Sequence, residues 1–247
     1  MTQPVDVLAI APHPDDAEVG CGGALLVAAD AGHRVAVADL TAGELSTAGS
    51  AEQRARERDR ASELLNLSER VALDLPDAAL GTDVAHRDAV VELLRELRPR
   101  VVLAPHTEDR HPDHAAAGRM TREACFLAGV AKLGRGRPHR PARLYHYGLH
   151  HPFEPTFVLD VSAVWDRRME AVIAYESQFG HAEDRRLTEV GQPAFLELLT
   201  ARAAVYGAMV GVARGEPYRS RGPLPAGTLP GLDAVQGDRQ PAYRAYL

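Results

Sequence analysis

The chain has 247 residues, enough for one large α/β domain or two small ones. Hydrophobic residues make up 45% and charged residues 25%, the balance of a soluble protein with a sizeable core. A formal net charge of −6, with basic residues spread along the chain, argues against a nucleic-acid or anionic-membrane partner.

The opening MTQPVDVLAIAP has neither the basic start nor the long apolar run of a secretory signal, and no apolar run approaches a bilayer span. The two cysteines, Cys21 and Cys125, sit in apolar helical contexts and are too few for a disulfide framework. They read as small buried side chains, and a reducing cytoplasm is the expected location.

In chain order, residues 5–11 read as a strand and 22–31 as a helix of small and apolar residues closed by Gly32. HRVAVADLT is the next strand, followed by a charged amphipathic helix over 51–65. RVALDLP is a strand, 83–97 a helix ending before Pro99, RVVLAPH a strand, and 112–127 contains a further helix. ARLYHYGLH and TFVLDVS read as strands, with helices near 163–175 and 193–210. From Gly222 to Leu247 the chain is rich in Pro and Gly and shows no periodicity, an ordered arm or a loose terminus. Without repeats or a clear linker, residues 1–247 are expected to form a single domain. Strands alternating with helices imply βαβ crossovers, hence a three-layer, Rossmann-like α/β fold with a mostly parallel sheet and helices on both faces.

Ligands of such sheets bind outside the carboxyl ends of the strands. Two strand ends carry chemistry: APHPDDAE, with His13, Asp15 and Asp16, and VVLAPHTEDRHPDH, with His106, Asp109, Arg110, His111, Asp113 and His114. In a parallel sheet both loops leave the same edge and can converge. Catalytic zinc sites use three N/O ligands and leave the fourth position open. His13 and Asp16 can supply two from one turn, and His114 the third from the start of a helix. Such a metal lowers the pKa of water from 15.7 toward roughly 7 and polarises a carbonyl. Asp15 is then placed to act as general base. A protonated His111 can stabilise an oxyanion and assist a leaving amine, and Asp113 can orient its imidazole.

Blander readings exist. Asp15 or Asp16 can simply cap the following helix. The run GCGG lacks the Lys-Ser/Thr of a P-loop and the spacing of a dinucleotide fingerprint, so close helix–sheet packing explains its glycines better than a phosphate cradle. His33, His86, His139 and His181 read as surface groups. In YHYGLHH the alternation of Tyr145, His146 and Tyr147 suits a strand with two unlike faces, and part of the segment can wall a pocket.

PHPDDAE together with HPDH about a hundred residues later resembles the LmbE-like (PIG-L) family of zinc-dependent N-acetylglucosaminide deacetylases. The similarity extends through DLTAGELSTAGS, AEQRARERDRA, LDLPD, YHYGLH, FVLDVS, AYESQF and GEPYRSR, from about Val5 to about Pro223. The resemblance implies zinc ligands His13, Asp16 and His114, base Asp15, and His111 as electrophilic partner supported by Asp113. It points to the subgroup that deacetylates N-acetylglucosaminyl-malate in bacillithiol biosynthesis, and so implies that Arg54 and Arg110 hold the malate carboxylates. One departure is Ala48, where the subgroup usually has arginine, which bears on fine substrate choice. The subgroup's ring-shaped hexamers imply a homo-oligomer.

The expected protein is therefore a cytoplasmic zinc amide hydrolase acting on a small glycoside. Fe(II) also suits a His2Asp site. Within the family, the alternatives are a thiol-conjugate amidase and an antibiotic-sugar deacetylase. A non-catalytic carbohydrate-binding relative has no chemical need for Asp15, and a two-metal phosphoesterase needs more ligands than are visible.

Overall fold

The computed structural model describes residues 3–180 and 192–224. His181, and the proposed arm beyond residue 224, lie outside the described residues. Five strands run parallel: β1 (Val7–Ala11), β2 (Val35–Asp39), β3 (Glu69–Ala72), β4 (Val101–Pro105) and β5 (Arg143–Tyr147). With β6 (Phe157–Asp160) and β7 (Gly215–Ser220) they form one sheet in the order β3-β2-β1-β4-β5-β7-β6. Strand β7 is antiparallel to both its neighbours. Its sequence, GEPYRS, has no apolar alternation, so only pairing with β5 and β6 makes it a strand.

The helices are α1 (Asp16–Asp30), α2 (Ala51–Leu64), α3 (Val84–Leu97), α4 (Pro112–Leu127), α5 (Trp165–Ile173), α6 (Glu176–Phe179) and α7 (Pro193–Val210). Every residue of β2 is buried, as expected of a parallel strand covered on both faces. Successive side chains of β1 enter opposite cores: Ala9 and Ala11 pack with α1, α5 and α7, while Leu8 and Ile10 pack with α3 and α4. Among the described residues, no helix is long and apolar enough to cross a membrane.

Helix α1 begins at Asp16, within the first motif, and not at residue 22. It is interrupted at Cys21, whose φ of −145° is not helical. The break frees backbone donors, and the Glu216 carboxylate of β7 accepts from Gly23 N at 3.1 Å and Ala24 N at 2.8 Å. A long-range carboxylate thus re-caps the helix, which no local pattern reveals. The tight-packing explanation of GCGG holds. A Cβ on Gly20 would lie 2.2 Å from the Tyr147 ring, and one on Gly23 would lie 2.6 Å from Val161. His86 is buried and not at the surface, because it heads the inward stripe of α3 that continues through Val90, Leu94 and Leu97. Cys21 and Cys125 are both free.

Beneath the first turn of α1, Arg70 pairs with both oxygens of Asp39 at 2.8 Å and donates to Glu18 at 2.6 Å. All three side chains are buried, so losing the cation leaves two carboxylates without their partner. Arg70→Ala is expected to cost about 3–5 kcal/mol of unfolding free energy. Urea denaturation monitored by circular dichroism checks this, and a loss within about 1 kcal/mol would show the network to be dispensable.

Candidate active site

The chain leaves β1 toward β2 and β3 on one side and returns to place β4 on the other. The crevice at the carboxyl ends of β1 and β4 is therefore the topological switch point. His13, Asp15 and Asp16 follow β1, and His111, Asp113 and His114 start α4 after β4. The two clusters meet there. Asp16 Oδ2 lies 3.0 Å from His13 Nδ1 and 3.3 Å from His114 Nε2. Donor atoms of the three residues all fall within 4.8 Å of one another.

The far nitrogen of each imidazole is also engaged. His13 Nε2 lies 3.1 Å from Asp77 Oδ1 and 3.5 Å from Asp113 Oδ2, and His114 Nδ1 lies 3.1 Å from Asp109 Oδ1. Two imidazoles and a carboxylate facing one point, with a carboxylate behind each imidazole, is the donor chemistry of a divalent-metal site. Burial lowers the affinity of His114 for a proton, but Asp16 and Asp109 outweigh it and raise its pKa to about 9. Burial likewise opposes ionisation of Asp16, yet His114 and His13 hold its carboxyl well below the usual range. The surrounding carboxylates thus favour positive charge on both imidazoles.

Asp15 occupies the N-cap position of α1 with φ 118° and ψ −27°, and its side chain caps nothing. A non-glycine residue in this region carries backbone strain of about 1–3 kcal/mol. Asp16 does not cap α1 either, since its Oδ2 accepts from His13 N at 3.0 Å. The capping alternative therefore fails for both residues. Burial raises the Asp15 pKa to about 7, against the pull of Arg54, whose guanidinium lies 3.8 Å away.

His111 is the N-cap of α4 and lines the cleft, but its orientation differs from expectation. Its Nδ1 accepts from the backbone N–H of Asp113 at 3.2 Å, which leaves the ring proton of the neutral form on Nε2. The Asp113 carboxylate instead accepts from Ala78 N at 2.7 Å and Leu80 N at 3.1 Å, and faces His13. The main chain, not the Asp113 carboxylate, orients His111. Burial and the nearby His114 and His13 lower the His111 pKa, which favours its neutral form.

Arg54 and Arg110 both line the cleft, whose volume is about 410 Å³. Arg54 is buried and donates to Pro14 O at 2.5 Å and Ser46 Oγ at 3.2 Å. Sequence reasoning missed Asp77 and His150 and gave Asp109 no task. Asp109 accepts from His111 N at 2.9 Å and from His150 N at 3.1 Å, and its Oδ1 lies 2.9 Å from His150 Nδ1. Asp77 closes LDLPD just beyond β3, so the strand-end rule applied to a third strand would have flagged it. In the Tyr145–His151 segment, Leu149 and His150 line the cleft, whereas His146 is buried and its Nδ1 lies 2.8 Å from Pro105 O.

Comparison with known proteins follows the same residues. A family model described as PIG-L: GlcNAc-PI de-N-acetylase matches residues 8–125, a span that contains all eight candidate site residues. Diacetylchitobiose deacetylase of Thermococcus kodakarensis is 32% identical over 226 residues, covering 86% of this chain and 82% of that protein. The 1D-myo-inositol 2-acetamido-2-deoxy-alpha-D-glucopyranoside deacetylase of Kineococcus radiotolerans is 29% identical over 188 residues, 59% of this chain and 52% of its own length. Among solved structures, a conserved protein from Thermus thermophilus is 41% identical and superposes with a TM-score of 0.84. That match covers 93% of this chain and 100% of the other.

Alanine at His13, Asp16 or His114 is expected to abolish stoichiometric metal binding, while Asp77→Asn weakens it by about 10–100-fold. Metal titration of chelator-treated protein checks both, and native affinity in Asp77→Asn would remove Asp77 from the support of His13.

Proposed function

The chain belongs to the PIG-L family of de-N-acetylases, and from that premise we propose that it is a metal-dependent hydrolase releasing acetate from an N-acetylglucosaminide. The observation that carries this reading is the pairing of a backed His2Asp donor set with Asp15, a strained, half-buried carboxylate that performs no capping. We assign the metal ligands to His13, Asp16 and His114. Zinc suits these donors, and Fe(II) accepts the same set.

Once bound there, the metal supplies Lewis-acid activation of water and of the amide carbonyl. Asp15 takes the proton from the attacking water as its oxygen bonds to the carbonyl carbon. Nε2–H of His111 donates to the oxygen that becomes negative as the tetrahedral centre forms. The C–N bond then breaks, the proton held by Asp15 passes to the departing nitrogen, and acetate and the free amine are the products. Arg54, 3.8 Å from Asp15, favours the ionised base at rest.

Support for the glycoside class comes from the two relatives above, named as deacetylases of acetamido sugars. The finer malate reading rests on Arg54 and Arg110. Arg54 already holds Pro14 and Ser46, so the class is carried forward here without the malate.

Acetate release from N-acetylglucosaminides by the metal-loaded protein is the direct assay. Asp15→Asn is expected to lower kcat by about 10²–10⁴-fold with the metal still bound, and chelation is expected to abolish turnover until metal is restored. Near-native kcat in Asp15→Asn would assign the proton transfer to another group.

A further inference from the structure

Three imidazoles form a row at the switch point. The His111 and His114 rings stack with centroids 4.5 Å apart and planes 20° apart. The His114 and His150 rings stack with centroids 5.0 Å apart and planes 8° apart. One face of an imidazole has room for one ring, so His111 and His150 flank His114 on opposite sides. His150 follows β5, and no step of the reaction above uses it. Yet it lines the cleft, and its backbone is pinned there. Arg202 of α7 donates to Leu149 O, and His150 N donates to Asp109 Oδ2 at 3.1 Å.

The same carboxylate orients the ring. Asp109 Oδ1 lies 2.9 Å from His150 Nδ1 and 3.1 Å from His114 Nδ1. An ionised carboxylate only accepts, so in the neutral rings each Nδ1 carries the proton and each Nε2 keeps its lone pair. The rings lie nearly parallel with both Nδ1 atoms turned to one oxygen, so both hold Nε2 on the edge away from Asp109. For His114 that edge faces Asp16, 3.3 Å away. For His150 it is a lone pair with no partner among the described residues.

Most other polar groups that line the cleft are committed or are donors. The carboxylates of Asp16 and Asp77 serve imidazoles and main-chain N–H groups, and Gln178 Oε1 accepts from Ser46. Arg54 and Arg110 carry donors only. His111 has its Nδ1 taken by Asp113 N and presents an N–H. The two rings beside His114 therefore offer opposite chemistry, a donor from His111 and an acceptor from His150.

We propose that His150 Nε2 accepts a hydrogen bond from the 3-hydroxyl of the N-acetyl sugar, which makes His150 a specificity-determining residue. This rests on the deacetylase reading, which puts the scissile amide at the His/Asp group. With the amide oxygen toward His111, the nitrogen and its sugar carbon C2 lie toward His150. Two oxygens flank C2, one on C1 and one on C3. In a glycoside the C1 oxygen carries no proton, so only the 3-hydroxyl can donate to a lone pair. An acceptor left unpaired in a closed site costs more than a bond not gained, so the site rejects analogues that lack this hydroxyl.

Calorimetric titration of the metal-loaded full chain carrying Asp15→Asn tests the contact without turnover. The ligands are the methyl glycoside of N-acetylglucosamine and its 3-deoxy and 4-deoxy analogues. Loss of the 3-hydroxyl is expected to weaken binding about tenfold. Adding His150→Asn keeps an N–H for Asp109 but removes the acceptor, and the penalty should fall to about twofold or less. His150→Gln, whose longer side chain returns an amide oxygen toward the place of Nε2, should restore part of it. Zinc is expected to stay stoichiometric in both variants, because Asp109 still faces His114. Loss of zinc in His150→Asn would make His150 a support of His114 instead and overturn the proposal. So would equal weakening of all three glycosides in that variant, or an unchanged 3-deoxy penalty. A penalty that depends on His150 but falls on the 4-deoxy analogue would overturn it as well. Wild-type protein that releases no acetate from the methyl glycoside sinks the deacetylase reading alone, because the binding pattern still decides the contact.

Discussion

The site depends on carboxylates standing behind imidazoles. Asp77 and Asp113 face His13, and Asp109 faces His114, so each ring is fixed in orientation before any cation arrives. Each carboxylate is itself held by main-chain donors: Asp77 by Leu45 N, Asp113 by Ala78 N and Leu80 N, and Asp109 by His111 N and His150 N. Segments after β2, β3, β4 and β5 are thereby tied to one point. Buried charge of this density is costly unless paired and hydrogen-bonded. Here the acids and imidazoles satisfy one another.

The same constraint explains the backbone of Asp15. An aspartate at φ 118° persists only when its surroundings over-determine it. Arg54 grips the carbonyl of the preceding Pro14, and the Arg70–Asp39–Glu18 network anchors the turn that follows. Strain at Asp15 is thus tolerated because polar and ionic contacts fix the chain on both sides of it. Position, rather than acidity alone, is what those contacts confer on the carboxylate.

Arg54 shows how one residue type supports two assignments. A guanidinium near a sugar site suits a substrate carboxylate, and a sequence match offers no way to tell substrate from main chain as its partner. In the fold its donors reach Pro14 O and Ser46 Oγ.

Apolar periodicity and strand–helix alternation were enough to place β1 to β5 and their helices, because buried parallel strands and amphipathic helices write their period into the chain. The two His/Asp loops were legible for a related reason: a parallel sheet sends them to one edge, so spacing in sequence becomes proximity in space. Strand β7 was not legible, since GEPYRS has no periodicity and is a strand only through its neighbours. Nor was the early start of α1, which is re-capped by Glu216 from the far end of the chain. The bonds of Arg54 to Pro14 and Ser46 were hidden likewise, as were the Asp113 contacts that leave His111 to the main chain. The sequence alone determined which chemical groups stand at the sheet edge. Tertiary structure decided which partner each group faces, because hydrogen bonds and ion pairs depend on directions and distances between segments that lie far apart along the chain.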